Sequence, residues 1–460
     1  MIIPWFAAHV ALIVGYLLAI LGIAQMLRHR RSPSATIAWL LVFVLFPYVG
    51  VALYLVFGGR KVARYKAQTS ELLRIRAAVP ADARANEISR MLQRYGIAPP
   101  TGGNRVTLCP TGVEGLQGLR RIIEETRRTL YVQTFIFSHD DVGRDTLTRL
   151  TDKALQGMKV CLLVDGLGSI KTRRSFFEPL VRAGGRFAVF EPVVHLPFRG
   201  RTNLRMHRKI AVSDGCRAMA GGMNITGEDM YAEMGPKSWQ DLSFIVEGPA
   251  ARDLEEVLRA DWKFVTGQQL QPGMEGDVEA RGDATVQVVP SGPNIPNDPL
   301  YAATLTAAYR AARRLWIVTP YFVPDDALAQ ALVIACRRGV DVRILVPEKS
   351  NHRLSDVAGA GFLRDIQGAG GRVLLYTGGM VHAKVMIADD ELAMVGSANM
   401  DMRSLFLDYE VMQLSYTVPE IRDVETWFEN LARGCRTGMP EPDLRGQLVE
   451  GLVRPVAPLF

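Results

Sequence analysis

The strongest constraint on the fold is that the chain repeats itself over its last three quarters. Residues 130–141 correspond to 315–326, and residues 157–164 correspond to 339–346, in the same order. The offsets, 185 and 182 residues, are much longer than the period of a solenoid repeat. The sequence therefore predicts one duplicated domain.

Each copy alternates helical and strand-type segments. Amphipathic helices are predicted at 116–129 and 300–314, and apolar runs of strand length follow them. This alternation is typical of an α/β sandwich. The segment 267–299 is rich in Gly, Pro, Asp and Asn, although it keeps strand character at 285–289. We therefore predict a first half at 106–270 and a second half at 271–460.

The first sixty residues have a different character. Residues 1–27 and 34–59 contain no Lys, Arg, Asp or Glu, and each run exceeds the ~20 residues that cross a hydrocarbon core as a helix. We predict a two-helix membrane hairpin at 1–60, followed by a juxtamembrane linker at 61–105. A signal peptide is disfavoured because no basic residue precedes the first run, and two buried core helices are the other alternative. Basic residues flank both ends of the second run, so the sequence leaves open which side the soluble part faces.

Charge and cysteine content narrow the classes of function. The formal net charge of +7 and the pI near 9.2 favour an anionic partner, either nucleic acid or a surface rich in acidic lipid. The alternative is that the charge only reflects a basic solvated surface. The five cysteines are far apart and form no Cys-x-x-Cys pair. This spacing argues against a disulfide framework and a zinc site, and we expect neither a metal nor a cofactor.

A short polar motif occurs once in each half. It is His-x-Lys followed by Asp seven residues after the His, and a run of small residues that ends in Asn comes next. The members are His207, Lys209, Asp214 and Asn224 in the first half, and His382, Lys384, Asp389 and Asn399 in the second. Two copies with identical spacing are very improbable by chance.

These residue types suit a phosphodiester substrate. His and Lys two positions apart on a strand point to the same face. The ammonium can hold phosphate oxygens while the imidazole attacks phosphorus or transfers protons. Asn224 and Asn399 would add amide donors to the same phosphate. A buried core histidine is the usual explanation for a lone His, but it does not account for a twofold pattern.

The imidazoles also need carboxylates to fix their tautomers. Asp214 and Asp389 lie at predicted turns, where Asp accepts hydrogen bonds from main-chain amides. The better candidates are Asp241, downstream of His207, and Glu410, downstream of His382, since each lies on a strand-like segment. The alternative is that both are ordinary acids at strand ends.

The paired motifs resemble the phospholipase D superfamily. The segments 205–210, 319–326 and 399–405, together with the two apolar runs, resemble the bacterial cardiolipin synthases over nearly the whole chain. Where many of those enzymes have Asn before the first motif His, this chain has Met206.

The resemblance implies two halves packed face to face around one active site formed by both His-x-Lys-Asp motifs. It implies that two phosphatidylglycerol molecules become cardiolipin and glycerol without nucleotide or metal. It further assigns nucleophilic attack to His207 and acid-base chemistry to His382, with the lysines and asparagines stabilising charge on phosphorus.

The expected partners are phosphatidylglycerol and anionic membrane lipid, with no nucleic acid. The expected location is the bacterial inner membrane, with the catalytic part on the cytoplasmic side, and the oligomeric state stays open. Four alternatives remain: a phospholipase D-type lipid hydrolase, a transferase that uses phosphatidylethanolamine as donor, a nuclease of the same superfamily, and a catalytically inactive membrane-binding scaffold. The apolar runs argue against the nuclease, and the complete motifs argue against the scaffold.

Overall fold

The N-terminal helices form one compact unit, and the two halves together form another. The computed structural model describes residues 2–27, 33–57, 86–190, 204–230 and 239–453. The N-terminal unit contains helices α1 (Ile2–Leu27), α2 (Pro33–Leu45) and α3 (Pro47–Phe57). Phe43 is fully buried in this unit, and its ring lies against the rings of Trp39 and Tyr54.

The second uncharged run is two helices rather than one. The helical run is interrupted at Phe46, and Pro47, which has no N–H to continue the hydrogen-bond ladder, begins α3. The two helices have 13 and 11 residues, short of the ~20 needed for a crossing. Among the described residues, no helix combines the length and apolarity that crossing a membrane requires, so the predicted pair of spans is not confirmed.

In the residues that the structure describes, the first half contains seven strands and the helices that connect them. Its strands are β1 (Thr101–Cys109), β2 (Thr129–Thr134), β3 (Lys159–Asp165), β4 (Arg186–Phe190), β5 (Ile210–Ser213), β6 (Arg217–Gly221) and β7 (Ser243–Glu247). Helix α4 (Glu87–Arg94) precedes this half. The helices of the half are α5 (Gly112–Glu125), α6 (Asp141–Leu155), a 3₁₀ helix (Arg174–Phe177), α7 (Glu178–Arg182), α8 (Gly227–Met230) and α9 (Pro249–Thr266).

The second half repeats the design with additions. Its strands are β8 (Ala284–Ser291), β9 (Arg314–Val318), β10 (Phe322–Val323), β11 (Asp341–Pro347), β12 (Arg372–Tyr376), β13 (Val385–Ala388), β14 (Leu392–Gly396), β15 (Met400–Asp401), β16 (Glu410–Ser415) and β17 (Cys435–Thr437). Its helices are α10 (Pro299–Arg310), α11 (Asp326–Arg337), α12 (Arg353–Gly368), α13 (Met402–Phe406), α14 (Val418–Ala432) and α15 (Leu444–Val453).

One large sheet runs through both halves. Its order is β17-β12-β11-β9-β13-β14-β16-β8-β1-β7-β6-β5-β2-β3-β4, and β10 and β15 pair separately. Strands β2, β3 and β4 are parallel, as are β9, β11 and β12. Antiparallel pairing of β1 with both β7 and β8 joins the halves. The predicted α/β duplication is therefore confirmed.

The repeated sequences at 130–141 and 315–326 are a strand followed by a helix cap. Each begins with a parallel strand, β2 or β9, and ends at an N-cap aspartate. Asp140 accepts a hydrogen bond from the N–H of Gly143 at 2.9 Å, and Asp325 accepts one from the N–H of Leu328 at 3.1 Å. These caps satisfy helix N–H groups that otherwise lack partners, so both copies begin their first long helix after the strand at the same place.

Each half has its own hydrophobic core. Leu119, Ile122 and Leu162 lie in the core of the first half, and Leu315 and Leu332 lie in that of the second. The predicted linker 61–105 is described only from residue 86, where it contains α4 and the start of β1.

Helix α4 packs on the second half. Its residues Ile88 and Leu92, with the following Ile97, belong to the core of the second half. The segment just before β1 therefore contributes to the core of the second half, although the first half follows it directly in the sequence.

The motif histidines and lysines lie just before strands rather than on them. Strand β5 begins at Ile210 and β13 at Val385, one residue after each lysine, whereas the sequence analysis placed His and Lys together on a strand. The histidines instead lie in extended chain that pairs across the two halves.

Candidate active site

Main-chain hydrogen bonds between the halves position both motif histidines. The N–H of His207 donates to the carbonyl oxygen of Tyr409 at 2.9 Å, and the N–H of His382 donates to that of Gln240 at 2.7 Å. Each carbonyl partner directly precedes one of the two downstream acids. Each histidine is therefore fixed beside an acid from the opposite half.

The imidazoles are in contact with these acids. Nδ1 of His207 lies 2.9 Å from Oε1 of Glu410, and Nδ1 of His382 lies 2.7 Å from Oδ2 of Asp241. Both carboxylates are completely buried. A carboxylate at Nδ1 fixes the tautomer that leaves Nε2 free to react.

The expected pairing of each acid with the histidine of its own half was wrong. In the sheet, β6 separates β7, which follows Asp241, from β5, which follows His207. Likewise β14 separates β16, which begins at Glu410, from β13. Each acid is two strands away from the histidine of its own half, and the main-chain pairing between the halves brings it to the other one.

Asp214 and Asp389 lie at the far ends of β5 and β13 and do not contact the imidazoles. Asp214 accepts hydrogen bonds from the N–H groups of residues 127, 128 and 129 at 2.9, 2.8 and 2.8 Å. Asp389 accepts them from residues 312, 313 and 314 at 2.8, 2.8 and 2.9 Å. Both have a φ of 52°, a left-handed conformation that Asp tolerates better than most residues. They therefore tie the start of β2 or β9 to a turn.

The two motif lysines are buried beside their histidines. Nζ of Lys209 donates to the carbonyl oxygen of His207 at 2.6 Å, and Nζ of Lys384 donates likewise to the carbonyl oxygen of His382. Burial is the main cause that lowers the pKa of Lys209, to about 7, and it also lowers the pKa of Lys384. An anionic ligand beside these ammonium groups would stabilise their charged form and raise their pKa values again.

The two asparagines belong to hydrogen-bonded networks with acids. Nδ2 of Asn224 donates to Oδ2 of Asp229 at 3.2 Å, and its Oδ1 accepts from the N–H of Ile136 at 3.2 Å. Asn399 is hydrogen-bonded to Asp401. An amide group has two hydrogens, so each asparagine keeps one for a ligand after this bond.

Burial keeps both imidazoles neutral. It is the largest cause that lowers the pKa of His382 to about 3 and that of His207 well below its ordinary value. The nearby ammonium groups of Lys209 and Lys384 lower both pKa values further. A neutral imidazole with a free Nε2 is the form that a nucleophile or a general base requires.

The acids of the two pairs differ in charge state. Burial raises the pKa of Glu410 to about 7 against the opposing effect of Lys209. Burial also acts to raise the pKa of Asp241, but Lys384 and the hydrogen bond to His382 outweigh it, so that pKa is lowered. His382 therefore has the more firmly ionised partner.

Asp229 is a site residue that the sequence motif did not indicate. Its Oδ1 lies 3.7 Å from Nδ1 of His382 and has no hydrogen-bond partner among the described residues. Burial and the neighbouring Asp241 raise its pKa to about 7. His382 thus faces two carboxylates, and the only sequence signal was the position of Asp229 five residues after Asn224.

Other residues that the sequence left unnoticed complete the surroundings of the imidazoles. The ring of Phe135 lies 4.9 Å from that of His207, and the ring of Trp239 lies 4.8 Å from that of His382. Oγ of Ser397 donates to Oε2 of Glu410. These contacts restrict ring rotation and exclude water.

One cluster in the described residues has the spacing of a cation site. Ligand atoms of Asp229, Asp241 and His382 lie within 4.8 Å of one another. However, Nδ1 of His382 already engages Asp241 at 2.7 Å, and Oδ2 of Asp229 accepts from Oγ1 of Thr226 at 2.9 Å. We therefore interpret the cluster as a hydrogen-bonded group around an imidazole.

Comparison with known proteins relates most of the chain to one group. The family model described as cardiolipin synthase, PLD-like domain, matches residues 119–262 and 305–432, and a phospholipase D-nuclease N-terminal model matches 17–59. Cardiolipin synthase 1 of Bacillus cereus is 30% identical over 94% of this chain and 90% of its own length. The cardiolipin synthase of Alkalihalophilus pseudofirmus is 33% identical, over 85% and 81%.

A third relative is similar to the same extent, and one solved structure shares the fold at much lower sequence identity. The major cardiolipin synthase of Bacillus subtilis is 31% identical over 89% of both chains. The crystal structure of phosphatidylserine synthase from Haemophilus influenzae covers 81% of this chain and 98% of its own, with a TM-score of 0.59 and 15% identity. That likeness supports the fold.

Proposed function

Since this chain belongs to the bacterial cardiolipin synthases of the phospholipase D superfamily and is thus a phosphatidyl transferase, we propose that it joins two phosphatidylglycerol molecules into cardiolipin and releases glycerol. The observation that carries this proposal is the pair of neutral imidazoles, each with Nδ1 against a buried carboxylate from the other half. Such a pair supplies one nucleophile and one proton carrier to a single phosphodiester.

In the first step, Nε2 of His207 attacks the phosphorus of one phosphatidylglycerol. The P–N bond forms and the bond from phosphorus to the glycerol oxygen breaks. His382 gives a proton to the departing oxygen, so glycerol leaves as a neutral alcohol. The product on the protein is a phosphatidyl-histidine.

His382 must be protonated for this step although burial and the neighbouring ammonium groups lower its pKa to about 3. Part of that lowering comes from Lys384 and Lys209. An anionic phosphate bound between these ammonium groups offsets their charge, so the pKa of the imidazole rises when substrate binds. Substrate binding therefore prepares the acid.

In the second step, a glycerol hydroxyl of another phosphatidylglycerol gives its proton to His382 and attacks the phosphorus. The P–N bond breaks, His207 becomes neutral again, and cardiolipin is released. One phosphodiester is exchanged for a similar one, so no external energy source is needed. The lysines and the free amide hydrogens of Asn224 and Asn399 would stabilise charge on the phosphorane oxygens.

The different surroundings of the two imidazoles support this division of roles. His382 faces the carboxylates of both Asp241 and Asp229, at 2.7 and 3.7 Å, whereas His207 has Glu410 at 2.9 Å. More negative charge near Nδ1 favours the imidazolium form. This favours His382 as acid-base group and His207 as nucleophile.

We further propose that the enzyme acts at the bacterial inner membrane, with both halves on the cytoplasmic side. The apolar N-terminal helices would hold it there, and deletion of residues 1–59 should weaken retention in membranes washed with alkaline carbonate. Protease protection in vesicles of both orientations tests the side.

The decisive test supplies vesicles of phosphatidylglycerol labelled in the headgroup glycerol and in an acyl chain. We expect one glycerol released for each cardiolipin formed. Release of glycerol with phosphatidic acid instead would mean that water is the acceptor and that the enzyme is a hydrolase. His207→Ala should prevent formation of any acid-labile, alkali-stable phosphoprotein.

A further inference from the structure

The carboxyl ends of β3 and β11 are each followed by an exposed loop beside the active site. The first loop, residues 166–174, follows β3 and includes the first residue of the 3₁₀ helix, and the second, residues 348–354, follows β11 and includes the first two residues of α12. The duplication relates them, because β3 and β11 occupy equivalent positions in the two halves. We call these two loops the rim loops.

The first rim loop is tied to the catalytic histidine of its half. Oδ1 of Asp165 accepts hydrogen bonds from the N–H groups of Leu167 and Gly168, at 2.8 and 3.0 Å. Oδ2 of the same carboxylate accepts from the N–H of Met206 at 3.0 Å. Met206 directly precedes His207, so this rim loop adjoins the reacting imidazole.

The second rim loop is tied to the site through Tyr321. The hydroxyl of Tyr321 donates to Oδ1 of Asn351 at 2.6 Å, and its ring lies 5.1 Å from that of His352. The site acids Asp229 and Asp401 act electrostatically on the same tyrosine. Both rim loops therefore border one active site from opposite halves.

Large apolar side chains of the rim loops are exposed to solvent. The exposed fractions are 43% for Leu167, 58% for Ile170 and 54% for Leu354. Exposed leucine and isoleucine close to a functional site cost solvation energy and mark an interaction surface when they are grouped.

The same loops carry cations without partners. They are Lys171, Arg173, Arg174, Lys349 and Arg353, all exposed and with no ion pair to any residue that the structure describes. The first rim loop contains no acid, and the one acid of the second, Glu348, pairs with Arg436 at 2.9 Å. The rim loops are therefore strongly basic as well as apolar.

We infer that the rim loops are the surface on which the catalytic halves dock to an anionic phospholipid bilayer. Leu167, Ile170 and Leu354 enter the interface, and the five cations contact lipid phosphates. Apolar side chains flanked by cations suit the boundary between headgroups and acyl chains. The inference rests on phospholipid being the substrate, since a lipid must reach His207 without leaving its bilayer entirely.

The test compares substrate in a bilayer with substrate in solution, using the full-length protein. One arm measures transfer in vesicles of phosphatidylglycerol and phosphatidylcholine. The other uses a short-chain phosphatidylglycerol below its critical micelle concentration. We expect Ile170→Asp combined with Leu354→Asp to lower kcat/KM at least tenfold in vesicles and to leave it within twofold on the soluble substrate.

The matched control is Leu155→Asp. Leu155 is 69% exposed and is the last residue of α6. Because α6 leads into β3, Leu155 lies near the amino end of that strand, whereas the first rim loop follows its carboxyl end. This variant should match the wild type in both arms. Equal loss of vesicle activity in Leu155→Asp, or no loss in the rim-loop variant, would overturn the inference.

A direct contact measurement separates docking from catalysis. In a Cys216→Ser, Cys435→Ser background, an environment-sensitive dye on Ile170→Cys should shift to shorter wavelength in phosphatidylglycerol vesicles, and one on Leu155→Cys should not. Absence of the shift at position 170 overturns the inference. A shift of the dye at position 170, together with a wild type that forms no cardiolipin in either arm, would refute the proposed function and leave the docking surface standing. Binding of single-stranded DNA that depends on Lys171 and Arg173, without any effect of vesicles, would mean that the surface serves nucleic acid.

Discussion

Asp389 and Asp241 are both buried motif-region acids, yet we predict opposite consequences of replacing them. Asp389→Ala should lower stability, because Asp389 holds three main-chain N–H groups and contacts no imidazole. Asp241→Asn should lower turnover with little change in stability, because its carboxylate lies 2.7 Å from Nδ1 of His382.

The magnitude for Asp389 follows from its hydrogen bonds and its backbone. Net contributions of roughly 1.5–3 kcal/mol are typical for a bond to a charged group, and water recovers part of them at a turn. Alanine at a φ of 52° adds about 1 kcal/mol of strain. A total near 4 kcal/mol corresponds to a fall in Tm of about 10 °C for a domain of this size. Asp389→Asn keeps Oδ1, which accepts two of the three bonds, so its Tm should fall by less than half as much.

For Asp241 the expected loss is kinetic. An amide at this place no longer fixes the Nδ1–H tautomer, and the corresponding change in the serine proteases lowers kcat by ~10⁴; we expect a fall of ~10²–10⁴ here. Asp229, whose pKa Asp241 helps to raise, ionises in its stead and keeps compensating Lys384. The change in Tm should therefore stay below about 3 °C, on the order of 1 kcal/mol.

The assay is transfer from labelled phosphatidylglycerol, measured beside thermal unfolding followed by tryptophan fluorescence in the same detergent. The reasoning is refuted if Asp241→Asn unfolds as early as Asp389→Ala, or if Asp389→Ala keeps its Tm and loses only turnover.

Three further predictions concern the shared site, pH and metal. His207→Ala and His382→Ala should each reduce turnover at least ~10³-fold with an unchanged circular dichroism spectrum, and near-normal activity of either would contradict a shared site. Burial raises the pKa of Glu255 to about 7, whereas the same carboxyl in the unfolded chain loses its proton near pH 4.5. The protonated side chain therefore contributes roughly 3 kcal/mol to the free energy of unfolding. This contribution is full below pH 4.5 and is lost as the pH rises through 7. The Tm of Glu255→Gln should accordingly fall less than that of the wild type between pH 5 and 7, and parallel curves would argue against a protonated Glu255. EDTA should leave the initial rate of transfer unchanged, and a metal requirement that persists when lipid packing is controlled would contradict attack by an imidazole alone.

The sequence predicted those features that depend on local geometry and repetition. The duplication follows from repetition at offsets of 182 and 185 residues, and the alternating α/β elements and the turn positions of Asp214 and Asp389 follow from patterns within about ten residues. The choice of Asp241 and Glu410 as the acids beside the imidazoles came from the same strand reasoning. The structure has each of them at hydrogen-bond distance from a histidine.

The crosswise pairing was out of reach because it depends on how the two halves face each other. Strand order puts β6 between β5 and β7, and no local pattern reports that order. Asp229 was missed for a related reason: it approaches His382 through space and belongs to no repeated motif. The interruption at Phe46 has a sequence signal in Pro47, which the prediction of a membrane span from charge and length alone did not use.

The distance along the chain between His207 and its acid affects when the protein can first act. Glu410 is synthesised 203 residues after His207, which takes roughly 10–40 s at ribosomal rates of about 5–20 residues per second. During that time the first half has a histidine, a lysine and an asparagine but neither its orienting acid nor the second imidazole. We therefore expect that a growing chain cannot cleave lipids, and that phosphodiester chemistry begins only once the second half has been made and seated against the first.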